Sequence, residues 1–274
     1  TTTHDQIITV EDNTAPTFTV PPDITICRNP DCTYDVDPVI TGDVSDETDN
    51  CDTSLDATYT DVSSVIDCNS SGFITRTWSL IDDCGNITTH DQVIWIEPVV
   101  QIVLNPSNTI LCDSSITDIQ ISSGSNSMHG IKYRYVVEPG NPAEVNIIYN
   151  GSVTGLDIDD HIQDSVINLS DQPQIVRFIV TPYTTDGAGD EFCNGISDTA
   201  TVTIEPTPRV FPVPMDYTQC DSTTTSIDLL SPSTFTSGVI TFDYTSVASG
   251  NPGDVTGMGS GTGVALGYTI EDDL

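Results

Sequence analysis

Thr88-Thr89-His90-Asp91-Gln92-Val93-Ile94 repeats, 86 positions further along, the opening run Thr2-Thr3-His4-Asp5-Gln6-Ile7-Ile8. Both copies run into an acid, Glu11 or Glu97, and Thr201-Val202-Thr203-Ile204-Glu205-Pro206 ends in the same way. Self-similarity at a fixed spacing marks an array of similar units. The later copy belongs to a hairpin: Phe73–Leu80 and Gln92–Ile96 are strand-like, and Asp82-Asp83-Cys84-Gly85-Asn86 is a turn. By analogy the opening copy is the last strand of a preceding unit. The sequence therefore reads as a slice of a longer protein.

Composition supports an all-β reading. β-Branched residues dominate, Gly and Pro are spread along the chain, and no long stretch keeps the 3.6-residue helical period. At 36% hydrophobic residues, several small cores are expected rather than one large enzyme core. Forty-one acids face six basic residues, of which Lys132 is the one lysine. Such a surface repels phosphate backbones and anionic headgroups, which excludes nucleic acid as a partner class. No apolar run is long enough for a membrane span, so no direct membrane insertion is expected. Two uses of the acids stay open: solvation with mutual repulsion, or binding of a divalent cation such as Ca2+.

Strand-like segments group into units. Residues 1–11 form the terminal strand and 12–97 a complete unit, with strands expected at Phe18–Val20, Ile24–Ile26, Thr33–Val36, Ala57–Val62, Phe73–Leu80 and Gln92–Ile96. A different unit runs over 98–205. A truncated relative occupies 206–274, since Cys112-Asp113-Ser114 echoes Cys220-Asp221-Ser222 and Ile131–Tyr135 echoes Ile240–Tyr244. About seven short strands per unit is the size of an immunoglobulin-like sandwich. The expected architecture is tandem β-sandwiches arranged as a rod.

Several motifs in order carry a resemblance over residues 1–97. They are Val10-Glu11-Asp12-Asn13-Thr14-Ala15-Pro16, Asp31-Cys32-Thr33-Tyr34-Asp35, Val39–Val44, Asp49-Asn50-Cys51, Thr75–Leu80 and Asp83-Cys84-Gly85-Asn86. This unit resembles the hyalin-repeat (HYR) family as found in giant surface adhesins of gliding Bacteroidetes, the SprB type. Cys27 is an addition to that pattern. The later units resemble bacterial PKD-like domains, from Cys112 through Phe192-Cys193-Asn194-Gly195 to Glu205-Pro206, with Asp113-Ser114 where a glycine is usual. The resemblance implies sandwich modules of a very long secreted adhesin on the outer-membrane surface, exported by the type IX route. Partners would be neighbouring repeats of the same chain, with the surface or glycan ligand elsewhere.

None of the eight cysteines has zinc-site spacing, so disulfides in an oxidising compartment are expected. In an immunoglobulin-like sandwich, Cys51 and Cys84 fall at one end and Cys32 and Cys68 at the other. The expected pairs are Cys51–Cys84 and Cys32–Cys68. Cys27 would replace Cys32 or stay a buried thiol. Cys112–Cys193 is the available pairing within the second unit, leaving Cys220 unpaired.

For Ca2+, the acid-rich loop offers Asp43, Asp46, Glu47, Asp49 and Asp52, and the linker offers Glu11 and Asp12. Hard cations collect carboxylate and carbonyl oxygens, yet these acids equally read as solvated. Asp157-Ile158-Asp159-Asp160 reads as solvated too. His4-Asp5 and His90-Asp91 recur with the module, which points to a structural role rather than a catalytic dyad. Trp78 and Trp95 read as packing residues. Ser165 and Thr199 fit an Asp-Ser/Thr-apolar O-glycosylation pattern associated with Bacteroidetes. Gly253–Gly259 reads as a loop. With no convergent catalytic set, the expectation is a non-enzymatic stalk of an adhesin serving attachment in gliding. The alternative is a carbohydrate-binding accessory region of a secreted polysaccharide-degrading protein.

Overall fold

The structure is a computed structural model that describes residues 3–64, 67–220, 222–250 and 255–273. Thr2 of the opening copy, Asp221 of the second echo, and Gly253 and Asp254 of the glycine-rich loop lie outside them. Among the described residues there are 23 strands and one four-residue helix, so the chain is nearly all β. It divides into two compact units. The first comprises 1–102, 122–134 and 181–197; the second comprises 103–121, 135–180 and 198–274.

In the first unit, a four-stranded sheet has the order Ile24–Cys27, Ile87–Glu97, Gly72–Ile81, Thr58–Ser63. Its centre is the expected hairpin, in register from Ile81 opposite Ile87 to Gly72 opposite Ile96. Ile24–Cys27 joins the far edge in parallel. Strand side chains alternate between faces, so Ile74, Arg76, Trp78 and Leu80 all point inward and are buried. Phe18, Trp78 and Leu80 form one core cluster; Ile74, Ile94 and Ile96 form another, against Tyr34 and Val36. The second layer pairs Thr17–Thr19 with Ser45–Thr48.

The strand expected at Thr33–Val36 is absent. Asp31, Asp35 and Asp37 each accept a hydrogen bond from the backbone N–H two residues on, at Thr33, Asp37 and Val39. These local bonds compete with a sheet ladder. Asp37 then caps the short helix Pro38–Thr41. Gly42 follows at φ +94°, where a Cβ would lie 2.8 Å from the Pro21 side chain. The opening copy is not in a ladder either, and Ile7, Ile8 and Val10 are exposed.

One inward position on the central strand is charged. Arg76 is fully buried, and its guanidinium grips Asp61 through Nε (2.8 Å) and Nη2 (2.9 Å). Its remaining donors reach Thr41 Oγ1 at 2.9 Å and the Val36 carbonyl at 2.6 Å. Its face lies 4.0 Å from the Tyr59 ring centroid. A buried charge is tolerated when paired and fully hydrogen-bonded. Arg76 thereby fastens the irregular 36–41 segment to the sheet.

The second unit holds Asn108–Leu111, Asp198–Ile204, 174–180, 135–139 and Thr154–Leu156 as sheet neighbours. Asp198–Ile204 pairs antiparallel with 174–180 and parallel with Asn108–Leu111. Opposing strands include Ile119–Ser122 and Ser165–Asn168, and the buried side chains include Ile119, Ile121, Val166, Val176, Phe178 and Val202. Beyond residue 206, two small sheets enclose Leu229, Phe242 and Ile270.

The structure bonds Cys32 to Cys68 and Cys27 to Cys193. The second bond corrects the expected Cys112–Cys193 pair and both alternatives held open for Cys27. Its cause lies in the hairpin that carries Cys193, which closes on the first unit. The Ile196 N–H donates to the Val100 carbonyl at 2.9 Å, and a Cβ on Gly195 would come within 2.4 Å of that oxygen. Cys112 follows a strand of the other unit and is a free, exposed thiol. Cys51 and Cys84 are also free and exposed, contrary to the expected bridge. Their loops do meet, since the Asp83 N–H donates to Asp52 Oδ2 at 3.2 Å, but the Cys51 sulfur is engaged by Asn50 Nδ2 at 3.1 Å. Cys220 is free as well.

Both tryptophans lie in the first unit, so their fluorescence reports its unfolding. Arg76→Ala strands the Asp61 charge and is expected to cost about 3 kcal/mol, the low end for a broken buried pair because Asp61 is partly exposed. Denaturant titration followed by tryptophan emission measures this. A loss below about 1 kcal/mol would show that the guanidinium does not hold the sandwich.

Candidate metal centre

Three segments of the first unit meet at one end of its sandwich: the segment before Thr17–Thr19 at Asp12, the loop after Ser45–Thr48 at Asp49, and the hairpin turn at Asp82. One carboxylate oxygen from each lies within 4.8 Å of the others. The loops aim them through local bonds. Asp12 Oδ1 accepts from the Thr14 N–H (3.0 Å) and Asn50 Nδ2 (3.2 Å). Asp49 Oδ2 accepts from the N–H groups of Cys51 (2.8 Å) and Asp52 (3.0 Å). Asp82 Oδ1 accepts from the N–H groups of Cys84 (2.9 Å) and Asn86 (2.8 Å). Asn86 Nδ2 donates both to Asp82 Oδ2 (2.7 Å) and to the Asp12 carbonyl (3.1 Å), tying turn to linker.

The other oxygens of two of these acids are distinctive. Asp12 Oδ2 and Asp49 Oδ1 are buried and receive no hydrogen bond. Buried polar atoms are nearly always paired, and a carboxylate is the costliest kind to leave unpaired. Two orphaned oxygens on carboxylates that cluster with a third fit a hard cation, which takes oxygen ligands. Asp12, Asp49 and Asp82 are the residues that could hold it.

Electrostatics agree with ionised ligands. The bond from the Thr14 N–H, then that from Asn50, hold the Asp12 carboxyl below the usual range. Burial pushes Asp82 up, but the bonds from Asn86 and Cys84 together outweigh it and leave the group lowered. The adjacent Cys51 thiol is pushed up by its hydrogen bond with Asp12, then by burial and the Asp12 and Asp49 charges. That disfavours a thiolate and hence thiol nucleophilicity.

Of the expected acids, the structure brings together only Asp12 and Asp49. Asp52 sits nearby but spends its oxygens on the Ser54 and Asp83 N–H groups. Asp43 accepts from Val44, Asp46 from the Thr19 hydroxyl, and Glu47 from the Ala57 N–H at 2.7 Å. Glu11 is exposed. Asp82 went unnoticed because it reads as an ordinary turn residue. The shared-end reasoning applied to Cys51 and Cys84 applies equally to Asp49 and Asp82, and would have found it.

The other singled-out residues have structural surroundings. His90 meets Phe18 edge-on at 5.1 Å, and Asp91 accepts from Thr77 at 2.7 Å. His4 is exposed. Trp78 is in the core, while Trp95 meets Phe73 with ring centroids 5.1 Å apart and planes tilted by 57°. Within 157–160, Asp160 accepts from the Asp157 N–H at 2.7 Å. Ser165 is half-buried in the middle strand of a three-stranded sheet, whereas Thr199 is exposed.

No protein-family model matches the chain. No curated protein matches it either. Solved structures with similarity include cadherin extracellular repeats. Repeats 22–24 of mouse cadherin-23 align at 13% identity and TM-score 0.33, over 95% of this chain and 89% of that one. Repeats 1–4 of Drosophila N-cadherin align at 14% and 0.29, over 79% and 59%. Repeats 3–6 of protocadherin gamma B2 align at 13% and 0.33, over 70% and 51%. A likeness at these scores assigns neither a ligand nor an activity to this chain.

Millimolar Ca2+ is expected to raise the thermal midpoint reported by tryptophan relative to a chelator, because a ligand bound only by the folded state stabilises it. Asp49→Asn keeps an acceptor for the Cys51 and Asp52 N–H groups while removing the charge, and should abolish most of that rise. An unchanged midpoint in the parent chain would mean the three acids hold no cation.

Proposed function

We propose that this chain is a repeat region of a secreted cell-surface adhesin, a stalk of sandwich modules that carries load between an anchor and a ligand-binding part. The observation that supports this reading is the convergence of Asp12, Asp49 and Asp82, which we take as a cation site where a linker enters a module. A Ca2+ ion there ties the linker to two loops and removes freedom from the joint. Two disulfides support an oxidising, extracellular setting. The motif resemblance over 1–97 to hyalin repeats, and over later residues to PKD-like domains, supports an outer-membrane-associated adhesin of the gliding type. Domain limits at 12–97, 98–205 and 206–274 belong to the same reading. The modules act mechanically and catalyse nothing.

Purified chain on a glycan array should give no reproducible binding at micromolar concentration. In cells, replacing this region within the full-length protein by unrelated sandwich modules of equal number should preserve surface attachment. Reproducible glycan binding together with lost attachment would instead make this region the ligand-binding part.

A further inference from the structure

We propose that the Cys27–Cys193 disulfide is a force bypass that removes residues 28–192 from the load path of the chain. The bond spans a sequence separation of 166. Cys27 ends the edge strand Ile24–Cys27, and Cys193 lies in the strand Glu191–Asn194. Both belong to the same compact unit. The Cys193 side of the bond is anchored: the residue is 3% exposed, and its N–H donates to Thr184 Oγ1 at 3.2 Å.

Tension follows the covalent path. A pull on the chain reaches Cys27, crosses the sulfur–sulfur bond and leaves from Cys193. The bypassed stretch contains the hairpin Gly72–Ile81 with Ile87–Glu97, the Arg76 core, and the buried Tyr133 and Phe178. Forced unfolding is governed by unfolding rates under load, and a closed loop cannot lengthen until the bond that closes it breaks. What remains in series is 3–27 and 194–273, including the small sheets around Leu229, Phe242 and Ile270 and the strand Asp198–Ile204, whose extraction takes the ladder partner from 174–180 and Asn108–Leu111. The bond thus divides the chain into a part that extends under load and a part whose contour length is locked. This consequence follows from connectivity and holds whether or not the chain is an adhesin stalk.

A second bond lies inside the bypass. Cys32–Cys68 has a separation of 36, so opening Cys27–Cys193 alone frees 166 less 36, or 130, residue steps. Stretching the whole chain by its ends tests this. With both bonds intact, no unfolding step should release the bypassed length. The double variant Cys27→Ser/Cys193→Ser, under oxidising conditions, should gain about 430–470 Å of contour at roughly 3.3–3.6 Å per residue. Should that variant fail to fold, the parent chain decides the matter. Adding a dithiol reductant, itself oxidised to a cyclic disulfide as both protein bonds take up two electrons and two protons each, should release about 550–600 Å. Equal contour length before and after reduction would overturn the proposal. So would non-reducing peptide mapping that finds Cys193 joined to Cys112.

Discussion

Negative charge with few positive partners on the chain is the constraint to which much of the structure answers. Forty-one acids share six basic side chains, so ion pairing cannot satisfy them, and many turn to backbone N–H groups instead. Asp31, Asp35, Asp37, Asp52 and Asp67 each accept from the residue two positions on. The loops are therefore shaped by carboxylates acting as local acceptors. Asp61 is an exception that takes a guanidinium, and Arg76 uses that pair to bring 36–41 onto the sheet. At Asp12, Asp49 and Asp82 local acceptance runs out. Each uses one oxygen or more on its own loop, and two orphaned oxygens are left facing inward.

The acid that closes each repeat follows the same logic. Glu97 is 1% exposed and accepts from the hydroxyls of Ser71 (3.1 Å) and Ser127 (2.7 Å). Glu205, the corresponding acid after Thr201–Ile204, is buried and accepts from the Thr236 N–H at 3.0 Å and from its hydroxyl. In both cases a strand-ending carboxylate captures at least one donor from later in the chain, the Ser127 hydroxyl at Glu97 and the Thr236 amide and hydroxyl at Glu205.

Alternation made the sandwich hairpin legible, since Ile74, Trp78, Leu80, Ile94 and Ile96 all sit on the inward face. The one charged residue on that face, Arg76, was not legible, because its partners lie 15 to 40 positions away. Thr33–Val36 looked like a strand from its apolar residues, and three aspartates turned it into loop. Cysteine pairing by module end accounts for Cys32 with Cys68, but it cannot anticipate that residues 181–197 join the compact unit that contains Cys27. Cys27–Cys193 depends on Gly195 admitting the Val100 carbonyl, a close approach with no signature in spacing. For the metal centre, the linker and loop acids were legible as a class, and the choice of Asp12 and Asp49 among them required the fold.

Two restraints of different kind therefore act on the first unit. The disulfides are covalent and redox-dependent. In the chain-entropy model, closing loops of 36 and 166 positions contributes about 4 and about 5 kcal/mol respectively. The carboxylate cluster is non-covalent, and the cation proposed for it would make its restraint reversible and dependent on cation supply. Its central claim is local, and residue-resolved amide spectroscopy during a Ca2+ titration addresses it most directly. The account predicts that the amides of Asp12–Thr14, Asp49–Asp52 and Asp82–Asn86 shift together and saturate with one affinity. Weak, unsaturating shifts spread evenly over the acidic surface would contradict it.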